Sequence, residues 1–301
     1  MPSRPPRRAR RRRAARAAVT VVAVVGALAV AVVAVVVALD RLTPEQPVAA
    51  RCTATVDGSS WPMSPDQAQH AALFAGTAAR RDLPARAVTI AIATALQESR
   101  LENIDYGDRD SIGLFQQRPS QGWGTVEQIM DPVFSTGAFF DALVKVDGYQ
   151  DMPITEAAQA VQRSGFPDAY AQHEGSARAW ASALTGHSPG ALTCTLPERG
   201  HDGAPVGSPV GLAERVARDL GDVRVEQYQG GDDTPSGVTV HAEDLGPDPQ
   251  RQALAVAAWA VAVAYEQGIT RVQVGDTWWD RDTGEWSTGP ALDPGLVDIQ
   301  V

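Results

Sequence analysis

Residues 87–96 read Ala-Val-Thr-Ile-Ala-Ile-Ala-Thr-Ala-Leu, and Gln97-Glu98-Ser99-Arg100 follow directly. The run is apolar on nearly all sides, so a helix built from it has to lie inside a core. It is too short to cross a bilayer, which takes ~20 apolar residues. Other elements must therefore wrap around it, and a carboxylate stands at its C-terminal end. Negative charge is disfavoured there by the helix macrodipole. Local rules broken in this way tend to mark functional sites.

The flanking sequence supplies the wrapping helices. Ser64-Pro65-Asp66-Gln67 offers an N-cap, a proline at the first helical position and a capping-box glutamine, predicting a helix to about Arg81. Thr125 and Asp131-Pro132 start further helices, and Phe134, Ala138, Phe139, Ala142, Leu143 and Val146 recur at helical spacing. Thr155-Glu156 opens another, and Pro167 the last, which ends at Gly186. Residues 61–195 are thus expected to be a mainly α domain with one irregular stretch over 101–124. Residues 196–210, rich in Pro and Gly, read as a linker. Residues 211–301 alternate helix and strand patterns and are expected to form a small α+β domain.

The N-terminus carries eight arginines and no acid over 1–18, followed by the apolar run Val19–Leu39. At 1.5 Å per residue this run spans about 31 Å, the thickness of a bilayer core. The basic flank predicts a single transmembrane anchor with a cytoplasmic leader and everything after a 40–60 linker outside; the alternative is a cleaved signal peptide. Beyond residue 39 the chain has 18 basic and 36 acidic residues. That balance argues against a nucleic-acid partner, whose phosphates call for Lys and Arg. Cys52 and Cys194 bracket the helical segment, and outside the cytosol a disulfide between them is the expected state. Two distant cysteines without clustered histidines do not suggest a metal site, and no cofactor is expected.

Cleaving a glycosidic bond requires protonating a weakly basic oxygen, which a carboxyl group does near neutral pH when burial raises its pKa. Glu98, at the end of an apolar run, fits that need; a solvated glutamate at a fraying helix end is the plainer reading. Glu98-Ser99, followed by Gly113-Leu114-Phe115-Gln116, resembles the Glu-Ser and Gly-Leu-Met-Gln motifs of the lysozyme-fold lytic transglycosylases, and is similar to goose-type lysozymes and resuscitation-promoting factors. The resemblance covers about residues 64–186. It implies a lysozyme-like catalytic domain in which Glu98 protonates the leaving oxygen and then deprotonates the sugar's C6 hydroxyl, leaving 1,6-anhydro ends on peptidoglycan. Gln116 would hydrogen-bond near the acid or line the sugar site, and Gln117 would be a further substrate contact. Ser99 would orient the helix end or a sugar substituent, and Gly113 would allow close approach of glycan or simply form a turn.

The third family motif, Ala-Tyr-Asn, is replaced by Ala160-Val161-Gln162, ahead of Ser164-Gly165 and Tyr170. Gln162 can stand in for the asparagine amide, and Gln162 and Tyr170 are taken as substrate contacts; Val161 cannot replace a tyrosine hydroxyl. Asp105, Asp108 and Asp110 lie between the first two motifs. One of them could be the second carboxylate of an inverting hydrolase, which sits about 6.5–9.5 Å from the acid; a turn-forming acidic loop is the other reading. Trp123, between two glycines, is either a sugar-stacking indole or a core aromatic.

Past the linker, Trp259, Tyr265, Trp278, Trp279 and Trp286 weight the C-terminal domain, which resembles small domains appended to bacterial wall-associated proteins. His201, His241 and Asp244 are too few for a zinc site, so this domain is read as a binding or spacing module, a place for other cell-wall proteins. The expectation for the whole chain is a membrane-anchored lytic transglycosylase acting on peptidoglycan glycan strands. Its alternatives are a muramidase, a noncatalytic peptidoglycan binder and a structural envelope protein.

Overall fold

The computed structural model describes residues 20, 26–35, 49–164, 167–197, 205–231 and 234–301. The chain divides into two units, Met1–Pro47 and Val48–Val301. In the first, Thr20 and residues 26–35 are described, and they are helical and exposed.

The second unit begins with a hairpin, β1 (Arg51–Val56) and β2 (Ser59–Met63), inside and just beyond the segment expected to be a stalk. Helix α1 (Pro65–Ala79) starts as the sequence indicates: Ser64 Oγ accepts from the Gln67 amide at 3.2 Å, and Gln67 Oε1 accepts from the Ser64 amide at 2.9 Å. Helix α2 (Ala85–Ser99) carries the apolar run, and every residue from Ala87 to Ala95 is buried. After it comes α3 (Val126–Met130), packed on α4 (Pro132–Leu143), and around α2 stand α1, α4, α5 (Ile154–Gln162), a 3-10 segment (Pro167–His173) and α6 (Glu174–Leu184). A ladder of rings fastens the loop after α2 to α1 and α4: Phe74 to Phe115 at 5.0 Å, Phe115 to Phe139 at 4.3 Å and Phe139 to Phe140 at 5.9 Å between centroids.

Strand β3 (Leu192–Thr195) completes a three-stranded antiparallel sheet of order β2-β1-β3. Cys52 faces Cys194 across it, and the two form a disulfide. The chain continues through α7 (Pro209–Leu220), β4 (Val225–Tyr228), β5 (Gly237–His241), α8 (Pro249–Ala262), α9 (Ala264–Gln267), β6 (Arg271–Val274), β7 (Thr277–Asp280), β8 (Glu285–Thr288) and β9 (Leu296–Gln300). The strands make an antiparallel sheet of order β4-β5-β9-β6-β7-β8. On β7, Trp279 is fully buried while the adjacent Trp278 stacks under Arg271 at 3.7 Å, the two-face alternation of a strand.

The six-stranded sheet and the helical part share one core. Helix α8 packs on α1, α6 and β3 as well as on β6 and β9. Fully buried Asp219 accepts from Arg215 at 2.7 Å, Arg218 at 2.8 Å and Trp259 Nε1 at 3.0 Å, while Arg215 Nη1 donates to Gln69 of α1 at 3.2 Å. Removing one member of such a buried network leaves the rest uncompensated.

Two expectations are corrected. The described residues do not form a mainly α lysozyme-like domain followed by a small α+β domain: they form a mixed fold with two antiparallel sheets. Strands β1 and β3 leave little trace in the sequence because they are short and held together across the chain by long-range pairing. Nor is a single-pass anchor present among the described residues, where no helix is long and apolar enough to cross a membrane. The described helical stretch over 26–35 would extend about 15 Å, half a bilayer core; the rest of the expected 19–39 span and the 1–18 leader lie outside the described residues. The placement with a cytoplasmic N-terminus fails with it. The 196–210 linker lies partly outside the described residues as well.

Candidate active site

Glu98 sits on the last turn of α2, half-buried. The Tyr170 hydroxyl, carried by the 3-10 segment and fully buried as a residue, donates to Glu98 Oε1 at 2.7 Å. Burial pushes the Glu98 carboxyl above its ordinary value, and the hydrogen bonds from Tyr170 and then Gln162 pull it back in part. The Tyr170 phenol is raised far above its usual range, first by burial and then by its bond to Glu98, so it remains a donor. Gln162, at the end of α5, also donates from Nε2 to the Phe115 carbonyl at 2.6 Å. The amide therefore bridges the second motif and the acid.

The helix end is fixed from several sides. Buried Ser99 Oγ lies 2.7 Å from the Leu114 carbonyl and 3.1 Å from that of Ala95, tying the first motif to the second. Arg100 and Leu101 then both take left-handed backbone, with φ of 58° and 61°. Two successive non-glycine residues in that region cost about 1–2 kcal/mol each. The turn is held by α1: Gln67 Nε2 donates to the Arg100 carbonyl at 2.7 Å, and His70 Nδ1 lies 3.0 Å from that of Leu101. Burial lowers the His70 pKa, keeping the ring neutral and a donor through Nδ1.

On the other flank, Gln97 Oε1 accepts from Gln172 Nε2 at 3.0 Å and lies 3.2 Å from His173 Nε2, locking the 3-10 segment that presents Tyr170. Burial lowers the His173 pKa too.

The remaining candidates take structural places. Gln116 Nε2 donates to the Tyr106 carbonyl at 3.2 Å and to that of Gly113 at 3.4 Å, bracing the loop rather than reaching Glu98. Gly107 makes room for it: a Cβ there would stand 1.9 Å from Gln116 Oε1. Gly113, at φ 77°, packs where a Cβ would meet the Ile129 carbonyl at 2.9 Å, so its role is a tight turn against α3. Gln117 is buried and donates to the Ser135 carbonyl at 3.2 Å. Trp123 is partly buried against the core.

Asp110 accepts from Arg118 Nε and from the Ser120 amide, both at 2.8 Å, and these bonds hold its carboxyl well below the usual range. Asp105 and Asp108 are exposed, and Asp108 lies 3.9 Å from Arg109. In the C-terminal part, His241 sits between Glu243 at 2.9 Å and Glu226 at 3.0 Å, and Asp244 caps the Arg224 amide at 3.1 Å; His201 lies outside the described residues. Among the described residues no group of three His, Cys, Asp or Glu is placed to hold a metal ion.

No protein-family model matches the chain, and no curated protein matches it either.

The sequence marks Gln67 as a capping residue and Gln97 as part of the first motif, but gives little sign that they, with His70, Gln172 and His173, brace the turn and the segment around Glu98. The one available signal was the i, i+3 spacing of Gln67 and His70, which puts both on the same face of α1.

Proposed function

We propose that the chain cleaves the β-1,4 bond between N-acetylmuramic acid and N-acetylglucosamine in peptidoglycan, with Glu98 as the single acid/base and 1,6-anhydro ends as product. The observation that carries this reading is the Glu98 carboxyl raised by burial and held at 2.7 Å by Tyr170. Protonated Glu98 gives its proton to the glycosidic oxygen as the C1–O bond breaks. The carboxylate so formed is the base that takes the C6 hydroxyl proton while that oxygen closes on C1. Proton and electron pairs balance, and Glu98 ends protonated. Tyr170 and Gln162 stabilise the anionic form between the two steps.

The engagement of Asp110 with Arg118 and Ser120 argues against Asp110 as the base of an inverting hydrolysis, since a carboxylate already accepting two hydrogen bonds is a weak base for water. A disulfide-bonded chain also belongs in an oxidising compartment, where such a substrate is found. The C-terminal sheet is then a packing and docking partner for the catalytic half, able to contact other wall proteins. The test is release of soluble muropeptides from purified peptidoglycan by the chain and by Glu98→Gln; release that persists in the variant refutes the assignment.

A further inference from the structure

At the opposite end of α2 from Glu98 lies a cavity of about 590 Å³ between the β1–β2 hairpin, the first turn of α2 and α6. Its size is in the range that holds small ligands. Trp61 forms one wall, packed so closely on Gly175 that a Cβ there would touch the indole at 3.0 Å. Arg86 and Arg178 both line the same space, with His187 beside them.

The two arginines are differently satisfied. Arg178 is bonded to Glu174, a pair with both side chains well exposed, the kind that contributes little and is readily exchanged. Arg86 donates to the Met152 carbonyl, a neutral acceptor, and its buried Nε has no partner. Burial, and then Arg178, lower the Arg86 pKa, while the Glu174 and Asp151 carboxylates oppose that shift from a distance. A second cavity, of about 780 Å³, shares Arg86 and His187 with the first.

We infer that the first cavity binds a short peptide through a free carboxylate held by Arg86 and Arg178, with the peptide body against Trp61. Asp57, which also lines the first cavity, repels a polyanion more strongly than a single carboxylate. The choice of peptide rests on the proposed substrate, whose glycan carries short stems with free carboxylates. Arg86 stands twelve residues before Glu98 on one helix, about 18 Å along its axis; a stem held there would fix the strand relative to the acid.

The test is an NMR titration of the Glu98→Gln full chain with N-acetyl-D-alanyl-D-alanine and with its C-terminal amide, so that turnover plays no part. The free acid is expected to bind at least about tenfold more tightly than the amide, the loss of one charge-assisted hydrogen bond. Arg86→Gln should erase the difference while the melting temperature is retained. Should Arg86→Gln unfold, Arg178→Gln carries the test and must reduce the preference. Equal binding of acid and amide, binding of neither, or a preference that survives the folded arginine variant overturns the inference. Failure here leaves muropeptide release by wild type untouched, and loss of that release leaves this binding untouched.

Discussion

Tyr170 donates its hydroxyl to Glu98 Oε1 across 2.7 Å, although the two residues are 72 positions apart. The bond stabilises the carboxylate and so lowers a pKa that burial has raised. Tyr170→Phe should therefore raise the Glu98 pKa further. The first step needs Glu98 protonated, so activity falls as pH climbs through that pKa, and the alkaline limb of kcat/KM reports it. The limb should move to higher pH in Tyr170→Phe, with kcat reduced about tenfold for the lost bond. An unmoved limb would mean that Tyr170 does not act on the acid.

Glu98 should also weaken the fold. Its folded pKa lies above the ordinary glutamate value of 4.5, so the folded state holds the proton more tightly than the unfolded chain. The associated stability is fully present below that unfolded value and is lost as pH rises through the folded pKa. Glu98→Gln lacks this loss. Wild type and variant should melt closer together at acidic pH than at pH ~8, where the variant should be at least as stable. Paired thermal melts across that interval check the sign.

The left-handed turn after Glu98 gives a third expectation. His70→Ala leaves the Leu101 carbonyl without its partner and should cost about 1–2 kcal/mol, with a fall in kcat larger than any change in KM. Arg100→Gly, at φ 58°, should instead raise stability by roughly 0.5–1 kcal/mol, because glycine bears no Cβ penalty there. Denaturant unfolding of both variants separates the two effects.

The disulfide should matter to both sheets, since Cys194 also faces α8 through the Val261 carbonyl at 3.2 Å. Cys52→Ser with Cys194→Ser should lower stability by about 2–5 kcal/mol, and a reductant should bring wild type to the same melting temperature. An unchanged melt would remove the disulfide as a structural clasp.

What the sequence disclosed was mostly local. The capping box at Ser64 and Gln67, the apolar run of α2 and the strand alternation at Trp278 and Trp279 are set by neighbours a few residues apart, and each is where its pattern puts it. Glu98 stood out because a charge ends an apolar helix. The rest depended on distant partners. Strand β1 finds β3 across 142 positions at Cys52 and Cys194, so the pairing left no periodicity to read. Gln116 looked like a substrate contact because of its motif, yet its amide is spent on the Tyr106 and Gly113 carbonyls. His70 showed no signal of its own, since its value lies in a carbonyl 31 positions away.

The most direct measurement is mass analysis of the products when purified peptidoglycan is digested by the full chain and by Glu98→Gln. Muropeptides with 1,6-anhydro ends, one water lighter than hydrolysis products, are expected from wild type, with release by the variant down at least about 10³-fold. Reducing ends would replace the anhydro route with hydrolysis, and equal release by the two proteins, or none by either, would contradict Glu98 as the acid that cuts the glycan.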